Sequence, residues 1–179
     1  VSLRIYRLAK AQPVWELFAP HHYLTPVLTK GTRCWVGVLE DTDELVAFTS
    51  SIRMPSGTLK NAWREHRTVV LPDYQGLGIG WRMAEWLGEY HIRQGERLYS
   101  RTTHPRIGAA RDASPLWRKT AKSGLLRKPE WRTGDKWTRN NDGDRVRIAF
   151  SHEYMGDKSD DTTRRVTSVG GVVLDQPHG

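Results

Sequence analysis

The clearest hydrophobic pattern lies between Glu65 and Gln94. A run of strand length, Thr68-Val69-Val70-Leu71, stops at Pro72. From Trp81 the period becomes helical, with Met83, Ala84, Leu87, Tyr90 and His91 on one side and Arg82, Glu85, Glu89 and Arg93 on the other. Alternation predicts strands over residues 3–7, 32–40, 44–53, 64–71 and 97–103. Asp41-Thr42-Asp43 joins the second and third as a hairpin, and residues 54–63 read as a loop. Gln12-Pro13 opens a short helix over residues 14–18. Residues 106–123 read as partly helical, with 116–122 the better half, and Gly124 ends them. A last strand over 145–154 has a candidate partner over 131–139. The expected organisation is one domain over residues 1–156 and a polar tail over 157–179, with an added strand over 172–174 as the alternative.

Composition sharpens this only in part. Apolar residues make up 37% of the 179, but eight tryptophans supply large buried area. The sequence shows no apolar run long enough to span a bilayer and no signal-peptide core, so no membrane partner is expected. The single cysteine, Cys34, excludes an internal disulfide and fits a reducing cytoplasm. Charge is more informative. Residues 101–147 hold thirteen Lys and Arg against five Asp and Glu, so the whole net charge of +8 resides there. With Trp117, Trp131 and Trp137 interspersed, that segment fits a polyanionic partner, DNA above all. Arg106, Arg111, Arg118, Lys119, Lys122, Arg127 and Lys128 are its candidate contacts; a solvated surface is the plainer alternative.

The chemistry begins in the linker between strand and helix, Gln75-Gly76-Leu77-Gly78-Ile79-Gly80. Three alternating glycines at a helix start leave bare amides beside a positive dipole end, which is an anion cradle. The order is wrong for the dinucleotide fingerprint, and the Lys-Ser/Thr pair of a P-loop is absent. The Q-x-x-G-x-G spacing after an apolar strand resembles the acetyl-CoA pyrophosphate loop of the GCN5-related N-acetyltransferases, the GNAT superfamily. The likeness extends more loosely over residues 3–154.

That resemblance implies an α/β fold: a mixed, mostly antiparallel central sheet of six to seven strands, flanked by helices and splayed between the fourth and fifth strands. It implies acetyl-CoA, or another acyl-CoA, as donor. Backbone groups of Val69, Val70 and Leu71 would pair with the pantetheine arm. Amides of Gly76, Gly78, Ile79 and Gly80 would hold the pyrophosphate, and Gln75 would help cap it. An amine would attack the thioester directly, the carbonyl polarised by an amide near Val69.

Such transfer needs a base for the amine and an acid for the thiolate. Many members of the superfamily carry the base as a Glu on the fourth strand. Glu65 is there, though four residues before Val69. Many carry the acid as a Tyr after the fifth strand, and none lies between Arg101 and Tyr154. The acid role stays open among His104, Ser114, Tyr23 and water. His22 and Tyr23, in the loop after the first helix, are expected at the acceptor site. No metal is expected, since adjacent histidines such as His21 and His22 point differently and no acidic or Cys cluster accompanies them. A weaker resemblance, in Trp15, His22-Tyr23, the hairpin and Thr103-His104-Pro105, is to phage GNAT proteins that include the Mom-type DNA-modification group. It makes a nucleic acid base the expected acceptor. The alternatives are a small-molecule or protein amine, and a non-catalytic nucleic-acid-binding GNAT fold. A homodimer is left open.

Overall fold

The computed structural model describes residues 2–22, 27–127 and 147–157. In chain order they form β1 (Leu3–Leu8), α1 (Gln12–Phe18), β2 (Arg33–Leu39), β3 (Leu45–Arg53), β4 (Ala62–Val70), α2 (Ile79–Arg93), β5 (Arg97–Thr102), α3 (Pro105–Ala113), β6 (Trp117–Lys119), β7 (Leu125–Arg127) and β8 (Arg147–Tyr154). The sheet order is β1-β2-β3-β4-β5-β8-β6, with β7 attached to β8. Among the described strands only β4 and β5 run parallel. This is the expected mixed sheet flanked by helices.

Strand β2, RCWVGVL, is buried along almost its whole length because both of its faces are covered. Cys34, Val36 and Val38 pack with Trp15 and Phe18 of α1. Trp35 points the other way and meets Trp86 and Tyr90 of α2 edge-on. At Gly37 the sheet and α2 come so close that a Cβ would stand 3.2 Å from the Met83 sulfur. The cores on the two sides of the sheet are therefore aromatic-rich, which offsets the low apolar fraction.

The feature that matters for function is a fork. Strands β4 and β5 pair at Ala62–Arg97, Trp63–Leu98 and Arg64–Tyr99, and no further. Beyond that point β4 stays on β3 as far as Val70, while β5 stays on β8 as far as Thr102. A bulge sits at the root of the fork. Ser50 faces Arg67 and Ser51 faces Glu65, so His66 is an extra residue in β4. Bulges bend and over-twist the strand that carries them, which helps β4 to leave β5.

Three expectations change. Residues 116–122 are not helical: Trp117–Lys119 is β6, paired with β8. Pro115 interrupts the helix, and Trp117 gains a ring contact with Tyr154 at 4.9 Å between centroids. The helix is the earlier half, with Pro105 in its first turn and His104 as its cap. Strand β4 starts at Ala62, because Ala62 and Trp63 are buried rather than looped out. The expected strands over 131–139 and 172–174, and the tail apart from Asp157, lie outside the described residues.

Two helices reach the sheet through glycine. A Cβ on Gly88 of α2 would fall 2.3 Å from the Tyr154 ring, and one on Gly108 of α3 would fall 2.2 Å from the Phe150 ring. Tyr154 cannot swing aside freely, since its hydroxyl donates to Glu89 at 3.0 Å. Gly88→Ala is therefore expected to destabilise the fold by about 2 kcal/mol through overpacking, despite the better helix propensity of alanine. Thermal unfolding followed by circular dichroism would show a drop of about 4–8 °C.

Candidate active site

Strand β4 leads directly into the cradle. After Val70 comes a single 3-10 turn, Pro72–Tyr74, then Gln75 and the glycines. Gly76 and Gly78 have φ of +84° and +76°, the left-handed region that side chains disfavour. Nothing lies within 4 Å of either position's Cβ site, so conformation and open approach, not packing, call for glycine there. Gly78 caps α2 with no side-chain hydrogen bond, which leaves the first-turn amides to an outside acceptor. Gly80 lies against β4, its Cβ site 3.4 Å from the Val70 side chain. These residues fit an anionic phosphate group. Gln75, expected to cap that group, uses its amide N–H to tie the loop back to the Val70 carbonyl at 3.0 Å.

At the crotch of the fork the first residues past the last pair meet through side chains. Ser100 of β5 donates to Glu65 of β4 at 2.8 Å. Thr68 donates to the other carboxylate oxygen at 3.0 Å, and Arg111 of α3 forms an ion pair with Glu65 at 2.9 Å. Arg111 also donates to Ser100 and lies 4.3 Å from the centroid of the Trp117 ring. Burial pushes the Glu65 carboxyl up, but the Arg111 charge and the hydrogen bonds from Ser100, Thr68 and Arg111 outweigh it and hold the group below the usual carboxylate range. Glu65, expected as the base, is thus ionised, weakly basic and already engaged. Arg111, expected on a nucleic-acid surface, is a correction: it is 4% exposed and serves as the partner of Glu65.

The other side of β4 carries a residue that sequence reasoning missed. His66, the bulged residue, has a buried Nε2 with no hydrogen-bond partner among the described residues. Burial first, and then the neighbouring charges of Arg67, Arg64 and His22, together push its pKa down to about 4. It is a neutral imidazole at pH 7. The signal was in plain view: Arg64-Glu65-His66-Arg67-Thr68 is a polar run between the apolar ends of β4. His22 stands nearby, its ring 5.7 Å from Trp15.

The remaining candidates fall elsewhere. His104 accepts the Ile107 N–H at 3.4 Å as the cap of α3, and Ser114 accepts the Leu116 N–H at 3.3 Å in the turn that follows. Arg118 pairs with Glu153 and Lys119 with Asp112, while Arg106 and Lys122 are exposed. Tyr23, Lys128 and the side chain of Arg127 lie outside the described residues.

A glycine cradle at the end of one strand, beside a fork between two parallel strands, defines the coenzyme A-dependent acyltransferase class. A model of the Acetyltransferase (GNAT) family matches residues 3–112, and the chain belongs to that family. It is an enzyme of the acetyltransferase kind. Solved structures agree on the fold. The spermidine N-acetyltransferase from Vibrio cholerae, in complex with CoA and spermine, superimposes with a TM-score of 0.60 at 9% identity, over 86% of this chain and 95% of that one. A Bacillus subtilis acetyltransferase in complex with CoA gives 0.59 at 11%, over 86% and 99%. The ribosomal-protein-S18-alanine N-acetyltransferase from Escherichia coli gives 0.58 at 13%, over 89% and 97%. Comparison with curated protein sequences found no match. Neither the family match nor any of these three structures points to DNA modification. No helix among the described residues is long and apolar enough to cross a membrane.

Removing one partner of the buried pair should be costly. Arg111→Met is expected to destabilise by about 3–5 kcal/mol, since it strands the Glu65 carboxylate. The pH dependence has a definite sign. The folded pKa of Glu65 lies below its unfolded value of about 4.3, so the stabilisation is complete above that value and is lost as pH falls through the folded one. Urea unfolding of wild type and Glu65→Gln should differ most at neutral pH and converge only as the pH falls through the folded pKa of Glu65.

Proposed function

We propose that this enzyme transfers the acetyl group of acetyl-CoA to a primary amine on a small molecule or a protein. The observation that carries this reading is the alignment of cradle and fork on one strand: β4 has its root at the Glu65 clasp and ends at the glycine loop. The amides of Gly76, Gly78, Ile79 and Gly80 would hold the pyrophosphate. The flank of β4 from Glu65 to Val70 that has lost β5 would accept the pantetheine arm, with Val69 and Val70 within that span. Bound there, the thioester supplies an activated acetyl group with the CoA thiol as leaving group.

The chain's own contribution is orientation and proton handling. His66 Nε2 would take the proton that the amine nitrogen loses on acylation. It suits that role better than Glu65, because its Nε2 has no hydrogen-bond partner among the described residues while Glu65 is held by Arg111, Ser100 and Thr68. Two structural neighbours are named for acetylating spermidine and a ribosomal-protein alanine, and they favour a small-molecule or protein amine. The loss of Arg111 from the basic surface removes one support of the nucleic-acid reading.

Acetyl-CoA at about a hundred times its Kd is expected to stabilise the protein by about 2.7 kcal/mol, read as a rise in melting temperature. Gly78→Glu should abolish that rise by blocking the cradle and forcing a side chain into φ +76°. If the variant folds and acetyl-CoA still protects it, the cradle assignment fails. NMR titration of the His66 imidazole should give a midpoint near 4. In an amine-dependent thiol-release assay, His66→Gln is expected to lower kcat by about 10²-fold or more while leaving acetyl-CoA protection in place.

A further inference from the structure

The turn that leads into the cradle is fastened to a distant corner of the sheet by a tyrosine, and the partner of that tyrosine is a carboxylate. We propose that Tyr74 and Glu44 are a positioning pair for the donor site: their hydrogen bond holds the turn before Gln75, so that the cradle amides are already set when the pyrophosphate of acetyl-CoA arrives. This rests on the transferase reading above and adds the residues that prepare its donor loop.

The link between β4 and α2 has little structure of its own. Pro72–Tyr74 is a single 3-10 turn, in which the Tyr74 and Gln75 N–H groups donate to the Leu71 and Pro72 carbonyls at 3.0 and 3.2 Å. Gly76 and Gly78, both at positive φ, follow at once. A segment of this kind loses much conformational freedom when it is ordered, and its glycines lose most. Part of that ordering is already done by ties to the sheet. The Leu71 N–H donates to the Val46 carbonyl of β3 at 2.9 Å, and the Gln75 amide holds the Val70 carbonyl at 3.0 Å. Tyr74 reaches further. Its ring packs against the cluster of Leu3, Leu39, Val46, Ala47, Ile79 and Met83, and its hydroxyl donates to Glu44 at 2.5 Å, across 30 residues of chain.

The acceptor is itself fixed. Glu44 closes the hairpin between β2 and β3: its carbonyl accepts the Leu39 N–H at 2.9 Å, and the Asp43 N–H donates to the Leu39 carbonyl at 3.0 Å. The β1 side grips the same hairpin, since the Ser2 carbonyl accepts the Glu40 N–H at 3.2 Å and Arg4 pairs with Asp43. Tyr74 is therefore anchored to a braced corner rather than to a loose side chain.

The charge of that anchor runs against the ligand. The phenol of Tyr74 is held above its usual pKa, first by the hydrogen bond to Glu44, then by burial, and then by the charges of Glu44, Asp73 and Asp41. Carboxylates thus gather at the turn before an anion cradle. Taken as charge alone, Glu44 hinders a donor that carries phosphates, and its loss would tighten binding. Taken as the anchor of Tyr74, its loss frees the loop, and the donor must then order it on binding, which weakens the complex. The two effects have opposite signs. An O–H···O⁻ bond of 2.5 Å stands at the short, charge-assisted end of the range, so the anchoring effect is the larger.

The test is acetyl-CoA binding to the full chain, measured by titration calorimetry. Tyr74→Phe keeps the ring in its apolar cluster and deletes the hydroxyl; it is expected to raise the Kd by about fivefold or more. Glu44→Ala should raise it as well, although it removes negative charge. Glu44→Gln, which keeps an acceptor oxygen without the charge, should recover most of the loss. The double variant Tyr74→Phe/Glu44→Ala should bind no more weakly than the poorer single variant, because both remove one interaction. In the unliganded protein, amide hydrogen exchange over residues 71–80 should quicken in Tyr74→Phe. Tighter binding by Glu44→Ala overturns the proposal. So does an unchanged Kd in Tyr74→Phe, a double variant whose losses add, or exchange over 71–80 that stays as in wild type. If the wild-type chain does not bind acetyl-CoA, the transferase reading is what fails, and the exchange measurement still decides whether Tyr74 and Glu44 hold the loop.

Discussion

The ion pair between Glu65 and Arg111 sits where two parallel strands stop pairing, and the geometry of the site depends on it. A sheet that opens leaves polar backbone at the crotch, and water or side chains must satisfy it. Beside the fork the Ser50 hydroxyl accepts the Arg67 N–H at 3.1 Å, and at the crotch itself side chains bind one another. Ser100 and Thr68 complete the shell of the carboxylate, Thr49 meets Thr68 at 3.0 Å behind it, and Trp117 covers the guanidinium. Buried ion pairs seldom stabilise more than a well-packed apolar cluster would. What this one does is join three elements, β4, β5 and α3, at one point and fix where the two strands part.

A second buried network shows why exposure matters as much as composition. Ser51, His91 and Glu96 form a hydrogen-bonded chain, with His91 Nε2 at 3.0 Å from the serine hydroxyl and Nδ1 at 2.8 Å from the carboxylate. The residue types are those of a nucleophile with its base and orienting acid. Ser51 and His91 are fully buried, and Glu96 is shared with Arg33, which lies over the Trp63 ring at 3.8 Å. The network fastens the end of α2 to β3. His66 differs in standing only half-buried at the fork, with its Nε2 unpartnered among the described residues.

Much of the donor half was legible in the residues. Positive φ at Gly76 and Gly78 is a demand that glycine meets and few others do, so the loop announced itself. The helical period of α2 survives in its buried face, with Met83, Ala84, Leu87 and His91 all inside. The side chains around the fork were not legible, for two physical reasons. A bulge resets the alternation of β4, so the facing of His66 and Arg67 cannot be counted from the strand's start. And a cation in a basic segment looks the same whether it meets solvent or a carboxylate 46 residues earlier, as Arg111 does. The misplaced helix over 116–122 has the same origin: three residues cannot reveal a strand whose partner lies more than thirty positions away.

The extra residue in β4 also bears on how such an enzyme can change over time. Every other position from Trp63 to Val70 is bound to a counterpart on β3, and a change there disturbs the ladder that also sets the cradle. Position 66 has no counterpart. Its side chain can therefore be exchanged with the register of β3 and β4 intact, whereas its neighbours are held by the ladder that leads to the cradle.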